Sequence, residues 1–173
     1  FFGHSMGAVV ATEVVRLLHS QGGPVPEHLI VSARRPSHIP DPHPPLRHLD
    51  DTSFVNELER RYGGIPAEVR AEPDLMTLLL PPLRADIEAL ERFLPVARPP
   101  MPVPITVFYG QEDHVVPRAH LEAWQDETAV PLRIKSFAGG HFYLHDSLQA
   151  LLDEVSLIAN RVLAGLPAED AVR

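Results

Sequence analysis

Residues 3–7 read Gly3-His4-Ser5-Met6-Gly7, a G-x-S-x-G pentapeptide between a short apolar stub, Phe1-Phe2, and a stretch with helical periodicity. No other feature constrains the chain as strongly. The pattern describes a sharp strand-to-helix turn that presents a serine hydroxyl above a sheet, the nucleophile elbow. Such a turn needs a buried strand before it, supplied by Phe1-Phe2, and a fold in which strands and helices alternate. Several strands are expected ahead of an elbow of this kind, and two residues precede it. The chain therefore reads as the C-terminal part of something longer.

The rest of the sequence supplies the alternation. From Met6 to His19, Val10, Val14, Leu17 and Leu18 recur at the spacing of one helix face, and Gly22-Gly23 ends the run. His28 to Ala33 and Ile105 to Tyr109 are short apolar runs and predict buried strands. Leu132 to Phe137 alternates, with Leu132 and Ile134 on one face, and predicts a third. Pro117 to Glu127 reads as a helix with proline at an early position. Ser147 to Leu163 reads as an amphipathic helix with Leu148, Leu151, Leu152, Val155, Ile158 and Val162 on its apolar face. Strands alternating with helices predict an α/β fold with a mostly parallel sheet covered on both faces.

Residues 36–104 break the rhythm. Pro36 to Pro45 is proline-rich and predicts a stiff extended connector. Beyond it come only helical patterns: Phe54, Val55, Leu58 and Tyr62, closed by Gly63-Gly64; then Leu75, Leu78, Leu79 and Leu80; then Leu83, Ile87, Leu90 and Leu94, closed by Pro95. Helices inserted between two sheet strands predict a cap over the strand ends, where open α/β sheets bind ligands. The expected organisation is a core segment at 1–35, connector and helical lid at 36–104, and a second core segment at 105–173.

Composition excludes several classes. The net charge of −8 argues against sequence-independent nucleic-acid binding, which needs a basic surface. The absence of cysteine excludes disulfides, thiolate zinc sites and cysteine nucleophiles. No run of 18 apolar residues predicts a membrane span.

Two further loops complete a pattern. Gly110-Gln111-Glu112-Asp113 follows the strand at 105–109 and puts an acid at its carboxyl end. Gly139-Gly140-His141 follows the strand ending at Phe137 and puts a histidine at the next. The order Ser5, Asp113, His141 is that of an α/β-hydrolase triad. The chemistry needs these types: a serine hydroxyl is a poor nucleophile until an imidazole takes its proton, and a buried carboxylate fixes that imidazole's tautomer. Gly3 and Gly7 are expected to let the turn approach its neighbours without a Cβ, and Gly139-Gly140 to aim His141 at the site. Glu112 is the rival acid and His145 the rival base. His141 and His145 are four residues apart, but Phe142 stands where a zinc-protease helix has glutamate, so no metal is expected. His4 is assigned structural duty, with its side chain directed away from that of Ser5. The pairs Arg34-Arg35 and Arg60-Arg61 read as solvated surface.

Four segments together resemble type II thioesterases, the editing hydrolases of polyketide and nonribosomal peptide assembly lines: Phe-Gly-His-Ser-Met-Gly (2–7), Val-Ser-Ala-Arg-Arg-Pro-Ser-His (31–38), Leu-Leu-Leu-Pro-Pro-Leu-Arg-Ala-Asp (78–86) and Gly-Gly-His-Phe-Tyr-Leu (139–144). The resemblance implies an α/β-hydrolase fold with a helical lid and a triad of Ser5, Asp113 and His141. It implies an oxyanion hole formed by the Met6 backbone N–H and a second amide from an earlier loop. It implies hydrolysis of acyl or aminoacyl thioesters on the phosphopantetheine arm of carrier proteins, in the cytoplasm, without a cofactor. Other serine hydrolases of the same fold, esterases or chain-releasing thioesterases, are the first alternative, and a non-catalytic module or inactive fragment the second. Without the second oxyanion donor and the flanking strands, residues 1–173 alone are expected to be inactive and poorly folded. Many carrier proteins are acidic, so docking onto an acidic hydrolase is expected to use a local basic patch, with Arg34, Arg35, Arg60 and Arg61 as candidates.

Overall fold

The computed structural model describes residues 1–166; residues 167–173 of the expected second core segment lie outside the described residues. The chain divides into two compact units. One comprises Phe1–Ile39 together with the chain from Val96 onward, and the other is Pro40–Pro95.

The first unit is built on four parallel strands, β1 (Phe2–His4), β2 (Leu29–Ser32), β3 (Ile105–Gly110) and β4 (Arg133–Phe137), in the order β1-β2-β3-β4. The inner strands are the near-continuous apolar runs of the sequence. β2 is buried at every residue, and β3 at all but Tyr109. Parallel strands buried on both faces have this composition. β4, at one edge, alternates instead, and the exposed Lys135 ammonium lies 3.2 Å from the Glu154 carboxylate. β1 forms the other edge of the described sheet. Phe1 and Phe2, expected to be buried, are about half exposed there because β1 pairs on one side only.

Helix α1 (Met6–Ser20) forms where its periodicity predicts, but it buries a different face. Ala8, Val9, Thr12 and Val15 are buried, while Val10, Val14 and Leu17 are exposed. The buried stripe is the face that packs on β1 and β2. The predicted 117–127 helix is a short α-helix, α5 (Arg118–Glu122), that tightens into a 3-10 turn over Ala123–Glu127. After the one-turn α6 (Tyr143–Asp146) comes α7 (Leu148–Leu163). It turns Leu151, Glu154 and Ile158 inward and leaves Leu148 and Leu152 about half exposed. Leu151 and Ile158 join Ile30, Phe108, Phe137 and Tyr143 in one apolar cluster.

The second unit contains α2 (Asp51–Tyr62), one turn of helix α3 (Ala67–Arg70), and α4 (Pro73–Arg92). The Asp50 side chain caps α2 by accepting from the Ser53 N–H at 3.0 Å. The two helices expected at 75–80 and 83–94 are one continuous helix with Pro81 and Pro82 inside it. Each proline withdraws one N–H from the helical ladder, which is why the sequence reads as a break there. Leu80, Leu83 and Ile87 on this helix pack on Leu46, Phe54 and Leu58, and that shared face carries the helix through. The Arg84 guanidinium lies 4.4 Å from the centre of the Phe54 ring.

One contact ties β3 to the loop after β4. A Cβ on Gly110 would lie 2.1 Å from the Gly140 carbonyl oxygen and 2.4 Å from that of Gly139. Both obstacles are backbone, so neither can swing away. Gly110→Ala is therefore expected to cost about 2–3 kcal/mol and to displace the loop, measured by urea unfolding and by amide shifts at residues 139–141. In the second unit, Phe54→Ala is expected to cost about 3–5 kcal/mol. Hydrogen exchange should then rise throughout α2 while β3 keeps its protection.

Candidate active site

Each nominated side chain stands at the carboxyl end of a parallel strand, and the shared direction of β1, β3 and β4 delivers them to one end of the sheet. Ser5 follows β1 with φ 51° and ψ −114°, a region that side chains avoid. Its N–H donates to the Ser32 carbonyl at 2.8 Å, and helix α1 begins at the next residue. Gly3 makes the turn sterically possible: a Cβ there would sit 2.2 Å from the Gly7 carbonyl oxygen. Gly7, expected to serve the same purpose, has nothing within 4 Å of where its Cβ would be. The close approach is made at Gly3.

The three side chains form a chain of hydrogen bonds. Ser5 Oγ is 3.2 Å from His141 Nε2, and His141 Nδ1 is 2.9 Å from Asp113 Oδ2. The other carboxylate oxygen, Oδ1, accepts from the Val115 N–H at 2.9 Å. The side chains of His141 and Asp113 are 3% and 1% exposed. A carboxylate only accepts, so His141 carries its proton on Nδ1 and turns the Nε2 lone pair to the serine hydroxyl. That arrangement can take a proton from Ser5 and hold the resulting imidazolium beside a buried negative charge.

Gly139, at φ 109°, turns the loop, and Gly140 rests over Gly110. The Glu112 N–H donates to the Gly139 carbonyl at 3.0 Å, joining the acid loop to the histidine loop. The rivals Glu112 and His145 are exposed. Met6 is the first residue of α1, and the first amides of a helix have no partner within it. Among the described residues, no group of three or more His, Cys, Asp or Glu side chains is arranged to hold a metal ion. No helix among them is long and apolar enough to cross a membrane.

One assignment needs correction. Of the basic pairs read as solvated surface, Arg35 and Arg61 have buried side chains, whereas Arg60 is exposed as expected. Arg35 is 5% exposed, and its Nε donates to the Ile39 carbonyl at 3.1 Å. Arg60 and Arg61 both bond the Glu57 carboxylate, at 2.6–2.8 Å, which holds that carboxyl down at about 2. His4, expected to have structural duty, packs against the His141 ring. Its ring centre lies 5.3 Å from that of His141, and its Nδ1 is 2.9 Å from Ser32 Oγ, which is 2.6 Å from the Tyr143 hydroxyl. Burial, followed by the nearby His141, lowers His4 to about 4. Burial likewise raises the Tyr143 phenol. Strand alternation directs neighbouring side chains to opposite sides but does not show which distant residue His4 meets. The histidine loop returns over the elbow and meets the His4 ring, an encounter no local spacing announces.

Residues 1–158 match the family described as the thioesterase domain. Thioesterase PikA5 of Streptomyces venezuelae is 36% identical over 157 residues, covering 90% of this chain and 55% of PikA5. A Brevibacillus parabrevis protein named linear gramicidin dehydrogenase LgrE is 34% identical over 168 residues, covering 95% of this chain and 64% of LgrE. The solved structure of the type II thioesterase BorB from the borrelidin biosynthetic cluster superposes with a TM-score of 0.78 at 34% identity, over 90% of this chain and 62% of BorB. The chain thus spans less than two thirds of the length of each of these relatives. The parallel sheet with its flanking helices is the α/β-hydrolase architecture of these thioesterases. With the family match running from the elbow strand well into α7, the chain belongs to the thioesterase domain family.

Proposed function

We propose that this chain carries the catalytic apparatus of a type II thioesterase, which hydrolyses acyl or aminoacyl thioesters on the phosphopantetheine arm of carrier proteins in polyketide or nonribosomal peptide synthesis. The observation that carries the reading is the Ser5–His141–Asp113 chain of hydrogen bonds, at 3.2 and 2.9 Å, within a domain of the thioesterase family. The relatives named for such pathways support the substrate class. The dehydrogenase in the name LgrE is not carried over, because the matched family is the thioesterase domain.

The mechanism follows from the atoms present. His141 Nε2 takes the Ser5 proton as Oγ attacks the thioester carbonyl carbon. The Met6 N–H, at the positive end of α1, faces the developing oxyanion. The carbon–sulfur bond breaks, and His141 returns the proton to the leaving thiolate. A water molecule deprotonated by His141 then attacks the acyl-serine, releasing the acid and restoring the Ser5 hydroxyl. Throughout, Asp113 holds Nδ1 and offsets the imidazolium charge. No step needs a cofactor.

The unit Pro40–Pro95, inserted between β2 and β3, is assigned the role of the lid that admits the arm and excludes bulk water. A cytoplasmic carrier protein is the proposed partner; of the candidate docking residues, Arg35 and Arg61 have buried side chains and are set aside, which leaves Arg34 and the exposed Arg60. The test is hydrolysis by the full-length protein of acyl-carrier-protein thioesters against a simple aryl ester of the same acid, with Ser5→Ala as control. The expected result is a higher kcat/KM for the thioester, falling by at least about 10³-fold in Ser5→Ala. Equal or better ester turnover would reduce the reading to a general esterase, and turnover unchanged in Ser5→Ala would overturn it.

A further inference from the structure

His4 contacts the His141 ring, and the mechanism above leaves it without work. Its ring is packed on three sides, with centres 5.3 Å from His141, 5.6 Å from Phe142 and 6.2 Å from Tyr143. From Nδ1 a hydrogen-bonded chain runs 2.9 Å to Ser32 Oγ and 2.6 Å on to the Tyr143 hydroxyl. Ser32 and Tyr143 are fully buried. The chain starts beside the nucleophile, crosses the end of β2, and ends two residues beyond His141.

The protons in this chain can be counted. If Tyr143 O–H donates to Ser32 and Ser32 O–H donates to His4 Nδ1, both hydroxyl protons are used. Only the His4 Nε2–H then lacks a partner among the described residues. The reverse direction strands the Tyr143 proton as well as the Nε2 lone pair. Buried polar groups left unpaired are costly, so the first direction is the stable one. It fixes His4 as the Nε2–H tautomer, accepting at Nδ1.

The far end of the chain is firmly held. The Tyr143 ring stacks on Phe137 at 5.1 Å with 9° between planes, its N–H donates to the Gly140 carbonyl at 3.1 Å, and its carbonyl accepts from Ser147 at 2.8 Å. His141 lies inside this small closed loop.

We propose that His4, Ser32 and Tyr143 are positioning residues, a hydrogen-bonded clamp that ties the histidine loop to the elbow and sets the His141 ring against Ser5. The proposal rests on the triad reading above. It also accounts for which imidazole takes the proton. His4 stays uncharged at neutral pH, since burial and the neighbouring His141 hold it low. His141 has Asp113 at its back, so the Ser5 proton goes there and meets no second cation in contact.

The test uses the full-length protein with a short acyl thioester of N-acetylcysteamine as the probe. Tyr143→Phe keeps the ring stacked and removes one oxygen. His4→Leu removes the acceptor, and His4→Asn restores one where Nδ1 stood. Tyr143→Phe and His4→Leu are each expected to lower kcat about five- to tenfold with KM unchanged. His4→Asn should recover most of that loss, and the double variant Tyr143→Phe/His4→Leu should be no worse than the poorer single, because one chain is broken once. Exchange of the Tyr143 amide should quicken in Tyr143→Phe. Tyr143→Phe within twofold of the parent in kcat and unchanged in amide exchange would overturn the clamp, as would Asn and Leu at position 4 behaving alike. If His4→Leu fails to fold, Tyr143→Phe decides. If the parent shows no Ser5-dependent turnover, the thioesterase reading fails, and amide exchange still judges the clamp.

Discussion

The backbone of Ser5 is the constraint on which the rest of this site depends. A non-glycine residue at φ 51° and ψ −114° stores on the order of 1–3 kcal/mol of strain. The fold offsets it locally. The Ser5 N–H is bonded to the Ser32 carbonyl, Gly3 yields space to the Gly7 carbonyl, and α1 begins at once. The return is geometric. The hydroxyl projects above the carboxyl end of the sheet, where the loops after β3 and β4 arrive with a carboxylate and an imidazole.

Those loops are placed by backbone packing more than by side chains. Gly110 ends β3 directly beneath the carbonyls of Gly139 and Gly140, and the Glu112 amide bonds the Gly139 carbonyl. Acid and base loops thus behave as one piece. The Tyr143–Ser32–His4 chain joins that piece to the elbow. Ser5 and the histidine loop are therefore linked twice, through the 3.2 Å Ser5–His141 bond and through a separate buried chain. A rigid framework of this sort lowers the reorganisation needed when charge develops.

Much of this was legible in the sequence, for identifiable reasons. The inner strands are near-continuous apolar runs, and the three nominated residues each follow a strand or stand in the loop after one. Features that depend on encounters between distant segments were hidden. The role of Gly110 comes from the loop that lies on it, thirty residues later in the chain. The His4–His141 contact joins residues from opposite ends of the unit. Periodicity located α1 but chose the wrong face, because Val10, Val14 and Leu17 are as apolar as the stripe of Ala8, Val9, Thr12 and Val15 that the sheet buries. It split α4 at Pro81-Pro82, where tertiary packing on Phe54 and Leu58 overrides the local break. Arg61 reads as solvated surface because a sequence does not show that its side chain is buried and shares the Glu57 carboxylate with Arg60.

The central claim is that Ser5, activated by His141, becomes covalently acylated. The most direct measurement is peptide mass spectrometry of the full-length protein, quenched in acid during turnover of an acyl-carrier-protein thioester, beside His141→Ala treated identically. The account predicts one acyl group on the peptide containing Ser5, appearing faster than it is hydrolysed, and absent from His141→Ala. Steady turnover with the acyl group on another residue, or with equal labelling of Ser5 in the absence of the imidazole, would contradict it.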